Sequence, residues 1–294
     1  MSVTLKTLSI SAERPLDPIT SKVLLVIDEL LRSAGIPYML VGATARDLLL
    51  YHVCGFPVTR ATNDLDFAIL VDSWEQFVTV KRLLAASPGF VDKEREIQRL
   101  YYTPSNTTFE TKIDIIPFGK LETVERKIEW PPDADVVMNV AAFADVFASS
   151  VLVQVGPEVS ISVASLPGIV VLKLFAWLDR KDDRDVADLL RLMETYTDAG
   201  NEHRLFEEES EELERVSFDT TLAGAYLLGK DANRITDQKT RKQLSDVLSG
   251  RTDELIRRLA LKKGTFDDQT EYAATLLLAL FRGLGLNEIP HQES

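Results

Sequence analysis

The hydrophobic positions of this chain change period several times, and each change marks an element. Over 21–34 apolar residues recur at helical spacing, at Val23, Leu24, Ile27, Leu30, Leu31 and Ala34, and Gly35 ends the pattern. Ile36-Pro37-Tyr38-Met39-Leu40-Val41 reads as a short buried strand that stops at Gly42. A helical period resumes at Ala43 and fades after Leu50, before Gly55 and Pro57. Gly42-Ala43-Thr44 is therefore a strand-to-helix turn of small residues, with backbone N–H groups gathered at the helix start. The next strand, 62–71, alternates: Leu65, Phe67, Ile69 and Val71 fall on one face, Asp64 and Asp66 together on the other. Ser73 caps a helix over 74–86 with Phe77, Val80 and Leu84 inward.

Further along, two strands are predicted over 97–103 and 108–117, joined around Pro104-Ser105-Asn106. The second carries Asp114, a lone acid among Ile113, Ile115 and Ile116. The segment 130–133 reads as a loop, and 151–155 with 159–163 as a second hairpin about Gly156-Pro157. From Leu166 nearly everything is helical, which predicts a boundary near Ala164 and two domains, 1–164 and 165–294. A helix with Pro167 in its first turn runs to about Arg180; others are expected at 219–228, 237–248, 253–261 and 267–284, with a frayed tail from 287.

Composition narrows the class. The chain has 294 residues, 45% apolar and 27% charged, ordinary for a globular protein of one large or two modest domains. No apolar run is long enough to span a bilayer, and 1–20 lacks the pattern of a secretory signal, so the expected setting is cytoplasmic and away from membrane. One cysteine excludes an internal disulfide framework, and with three scattered histidines it cannot build an ordinary zinc site. A net charge of −13 argues against broad sequence-blind nucleic-acid binding but leaves room for a local basic cleft.

Four groups carry candidate chemistry. Asp64 and Asp66 repel each other at the mouth of an apolar strand; they are either solvated strand-entry acids or ligands of a divalent cation. Asp114 is either the wet face of an edge strand or a third carboxylate of the same site. Lys173 is the one charge inside an otherwise apolar helix, so it snorkels outward or meets an anion. Asp185 and Asp188, one turn apart in a charged segment, read by default as a solvated face, as does the acidic run 207–212.

In combination these pieces resemble the nucleotidyltransferase superfamily that includes DNA polymerase β and the CCA-adding enzymes. The resemblance rests on Gly42-Ala43, Asp64-Leu65-Asp66 and Asp114 in that order, and Val41 to Leu50 echoes the CCA-adding pattern. The second half resembles the AbiEii toxin branch, in Lys173-x-x-Ala176 followed by Arg184-Asp185 and Asp188. Ala43 departs from the Gly or Ser of that pattern, leaving Thr44 as the nearest hydroxyl, and Arg184 stands where the branch often has Lys. The resemblance implies an α+β fold: a polymerase β-like mixed sheet flanked by helices, then an all-helical C-terminal domain that completes the nucleotide site. It implies transfer of an NMP from an NTP to an acceptor hydroxyl, with two Mg²⁺ or Mn²⁺ ions on Asp64, Asp66 and Asp114. Gly42, Ala43, Thr44 and Arg46 would hold the triphosphate and Lys173 would neutralise it. Arg180, Asp185 and Asp188 would clamp the nucleotide or act as struts for Lys173. The implied partners are NTP, an acceptor that is RNA (a tRNA end) or a small molecule of the aminoglycoside kind, and a cognate antitoxin. A catalytically inactive binding module is the reading from another class.

Overall fold

The order of strands in the sheet follows from where the apolar runs fall and from how each strand is tied to the next. The computed structural model describes residues 7–60, 62–93, 95–105, 108–263 and 267–286. It divides into two compact units, Met1–Ser165 and Leu166–Ser294.

In the first unit β1 (Thr7–Ser9) precedes helix α1 (Pro18–Ser33), which leads to β2 (Tyr38–Val41). Helix α2 (Gly42–Asp47) continues into wider π-type turns over Leu48–Val53, further than the sequence period suggested. Then come β3 (Asp64–Val71), α3 (Trp74–Ala85), β4 (Phe90–Asp92), β5 (Arg99–Tyr102) and β6 (Thr111–Gly119). A small hairpin, β7 (Lys127–Glu129) with β8 (Val137–Asn139), flanks the expected 130–133 loop; α4 (Phe143–Ala148), β9 (Val151–Gln154) and β10 (Ser160–Val163) complete the unit. Eight strands form one mixed sheet in the order β1-β9-β10-β2-β3-β6-β5-β4. Central β3 runs antiparallel to β2 and parallel to β6, while β5 returns antiparallel to β6. The expected turn at 104–106 lies partly outside the described residues.

The two faces of β3 have different fates. Leu65, Phe67, Ile69 and Val71 are fully buried under α1 and α3. Tyr38 ties that layer together, its ring beside Phe67 and its hydroxyl donating to Asp28 of α1 at 2.5 Å. Burial and the bond to the Asp28 carboxylate push the Tyr38 phenol well above its ordinary range. On the opposite face, at its far end, Phe118 of β6 meets Phe143 and Phe147 around α4. The acidic end of that face is left half-exposed. Helix α1 starts three residues before the expected 21 because the Asp17 side chain accepts from the Ile19 and Thr20 N–H groups.

The second unit is helical: α5 (Leu166–Arg180), α6 (Asp183–Thr195), α7 (Glu202–Glu207), α8 (Ser210–Arg215), α9 (Thr220–Ile235), α10 (Gln238–Leu248), α11 (Thr252–Lys263) and α12 (Asp267–Gly283). No helix among the described residues is long and apolar enough to cross a membrane. The acidic run 207–212 is solvated at Glu207, Glu208, Ser210 and Glu211, as its composition suggested, but not throughout. Glu209 and Glu212 are buried, Glu209 against Lys230 at 2.5 Å and Glu212 against Arg215 and Arg282, so basic partners from α9 and α12 make their burial tolerable. Helices α9 and α12 cross in backbone contact. A Cβ on Gly229 would lie 2.1 Å from the Leu280 carbonyl oxygen, and one on Gly283 would lie 2.1 Å from that of Tyr226.

Because those obstructing atoms are backbone, Gly229→Ala must push the helices apart. We expect a cost of about 1–3 kcal/mol, the usual range for overpacking, seen as a lowered melting temperature. An alanine variant that melts with the wild type would show that the crossing is looser than described.

Candidate active site

The register between β2 and β3 sets Val41 opposite Asp66, so the next residue, Gly42, turns directly over the Asp66 carboxylate. Gly42 has φ +72°, a left-handed conformation that glycine adopts without penalty. It also lacks the atom that would collide: a Cβ there would sit 2.0 Å from Asp66 Oδ2. The turn is stitched to the same strand a second time, since the Thr44 hydroxyl donates to the Asp64 carbonyl oxygen at 2.8 Å. That hydroxyl is thus committed to the backbone of the acidic strand. Ala43 is buried beside it. Arg46, only 1% exposed, reaches its neighbour Asp47, with Nε and Nη2 donating to Oδ1 at 2.9 and 2.6 Å.

Parallel pairing of β3 with β6 places Asp66 beside Asp114 and Asp64 beside the exposed Lys112. Alternation therefore puts Asp64, Asp66 and Asp114 on one face, as the strand pattern predicts. Their carboxylates nevertheless diverge. Asp66 leans towards Gly42, whereas Asp114 is taken in the other direction by Arg99, its register partner on β5. Arg99 Nε donates to Asp114 Oδ1 at 2.7 Å and Nη2 to Oδ2 at 2.9 Å, a two-point fork that engages both oxygens. The bonds from Asp114 raise the Arg99 pKa above its already high value. Among the described residues no three His, Cys, Asp or Glu side chains gather into a group that could hold a metal ion. Asp64 and Asp66 still present hard oxygen donors on one strand, and such donors suit Mg²⁺ or Mn²⁺. Sequence reasoning missed Arg99.

In the helical unit Lys173 meets anions rather than snorkelling. It is 7% exposed, and its ammonium lies 2.9 Å from Asp185 Oδ1 and 2.6 Å from Asp188 Oδ2. Arg180 forks onto Asp185 as well, Nε to Oδ2 and Nη2 to Oδ1, both at 2.7 Å. The solvated face expected for Asp185 and Asp188 is thereby corrected: they are 0% and 2% exposed. An acidic i, i+3 pair looks alike on a wet or a buried face, and here cations from α5 permit burial. Arg184 binds Asp182, the cap of α6, at 2.5 Å. Its hydrogen bonds hold the Asp182 carboxyl down at about 2.

A family model described as "Nucleotidyl transferase AbiEii toxin, Type IV TA system" matches residues 29–271. No curated protein matches the chain. Among solved structures, an antigenic nucleotidyltransferase-like protein from Paracoccidioides brasiliensis is 14% identical, over 73% of this chain and 94% of that one, with a TM-score of 0.41. The antibiotic-resistance factor ANT(2'')-Ia is 13% identical, over 69% and 98%, with a TM-score of 0.37. The Thermotoga maritima CCA-adding enzyme, complexed with tRNA, is 12% identical, over 96% and 86%, with a TM-score of 0.27. With scores this low, the family match alone carries the assignment.

The ionic cluster sets a stability expectation. Lys173→Met leaves Asp188 and half of Asp185 without their buried cation, at a cost of about 3–5 kcal/mol. Thermal unfolding of the helical unit should shift down by several degrees, and a melting curve unchanged by the substitution would contradict the buried pairing.

Proposed function

The chain belongs to the AbiEii nucleotidyl transferase toxin family, and from that membership we propose that it moves an NMP from an NTP to an RNA hydroxyl, with Asp64 and Asp66 as its cation ligands. It is a nucleotidyltransferase, and its family generally uses divalent metal ions. The observation that carries the site assignment is the Asp66 carboxylate packed on Gly42, because it joins the small-residue turn to the acid pair. A divalent ion bound there would neutralise phosphate charge during transfer.

The chain's own residues supply the rest. The Gly42–Thr44 turn offers backbone N–H groups to the triphosphate, and its freedom from a side chain at 42 lets phosphate and carboxylate share the space. In the transfer an acceptor oxygen bonds to the α-phosphorus, the bond to the β-phosphate oxygen breaks, and pyrophosphate leaves. The acceptor's proton must pass to a base, and Asp114, next to Asp66 across the sheet, can take it only where the Arg99 fork on its two oxygens opens. The toxin role and a cognate antitoxin are parts of this reading supported by the family's description; a tRNA end as acceptor rests on the likeness of Val41 to Leu50 to the CCA-adding pattern.

The test is incubation with each α-labelled NTP and total RNA, and in parallel with cationic small acceptors. Label in the tRNA band supports the reading; label only in a small acceptor overturns the RNA part and leaves nucleotidyl transfer standing. Asp66→Asn should bring transfer to background with the fold kept, since it removes a ligand oxygen's charge and no core volume. Transfer by this variant at the wild-type rate would sink the assignment. Gly42→Ala should cost on the order of 100-fold, because it displaces the Asp66 carboxylate by an ångström or more.

A further inference from the structure

Resting on the reading of Asp64 and Asp66 as cation ligands, we propose that Arg99 is a positioning residue that masks Asp114 and confines divalent-ion binding to the Asp64–Asp66 pair. Three observations point there. The first is the fork itself, which engages both Asp114 oxygens at 2.7 and 2.9 Å and so blocks a cation from chelating between them. The second is rigidity. Arg99 and Asp114 are direct register partners on paired strands, and both are partly shielded, at 24% and 18% side-chain exposure, so the pair is built into the sheet. The third is direction: Asp66 is drawn to the Gly42 side and Asp114 to the β5 side, so the two neighbours across β3 and β6 do not converge.

Electrostatics reinforces the blockage. A divalent ion at Asp114 would stand within a few ångströms of the guanidinium, where like charges are weakly screened in a half-buried site. Arg99 cannot relieve this by losing its proton, because guanidinium stays charged. A second ion could therefore bind Asp114 only after the fork opens.

The experiment counts bound Mn²⁺ on the full-length chain by electron paramagnetic resonance, with Mn²⁺ as the sole ligand. The expected result is one ion per wild-type chain and two for Arg99→Met, falling back to one when Asp114→Asn is added. The ion retained at Asp64–Asp66 in every variant serves as the check that the sheet is folded. Two ions on the wild type, or one on Arg99→Met with that check satisfied, overturn the masking by Arg99 and leave the Asp64–Asp66 site intact. No bound Mn²⁺ in any form overturns the cation reading and the masking with it.

Discussion

The contact on which the candidate site depends is that between the Asp66 carboxylate and the bare Cα of Gly42. It exists because β2 and β3 pair antiparallel with Val41 opposite Asp66, so the chain leaves β2 and folds back over the acid. Any side chain at 42 would claim the position of Asp66 Oδ2, and any register slip by one residue would turn Asp66 into the α1–α3 core. The Thr44 bond to the Asp64 carbonyl then fixes the turn against the strand entry. A small-residue turn and an acidic strand far apart in sequence thus become one rigid object.

The helical unit solves a different problem by similar means. Burying two carboxylates and an ammonium inside α5 and α6 is costly unless each finds its partner, and Lys173, Arg180, Asp185 and Asp188 close the account as two cations and two anions. Hydrophobic isosteres would pack as well. What the ionic arrangement adds is a defined angle and depth for the Lys173 ammonium, since only one rotation of α6 against α5 serves both aspartates.

Much of the scaffold was legible from periodicity, because the buried face of β3 and the caps Ser73 and Gly35 are local signals. The short strands β1, β4, β7 and β8 have three residues each, too few for an alternating pattern to emerge. The helix α4 is likewise a single apolar turn or two. Arg99 stayed hidden for a geometric reason. A hairpin centred on Ser105 would pair Arg99 with Thr111, whereas the observed register sets it against Asp114. A shift of three residues in one partner decides whether an arginine reads as rim or as site. Burial of Asp185, Asp188, Glu209 and Glu212 was illegible because composition reports the charge of a segment but not the helix packed against it.

Charge explains why an arginine belongs in the acid row. Asp64, Asp66 and Asp114 on adjacent strands would place three negative charges on one half-exposed face, and their repulsion would oppose the very register that aligns them. Arg99 brings the formal charge of the four residues to −2, counted as three carboxylates less one guanidinium, which a single divalent ion balances. Lys112 stands exposed at the rim of the same row, where solvent screens it from the count. In a chain of net charge −13, the proposed reading is that its own arginine prepares this sheet face for one hard cation. On that reading an anionic triphosphate arriving at Gly42 meets an acid row whose net charge one divalent ion has already cancelled, with the sheet's hydrogen-bonded register holding Asp66, Asp114 and Arg99 in line.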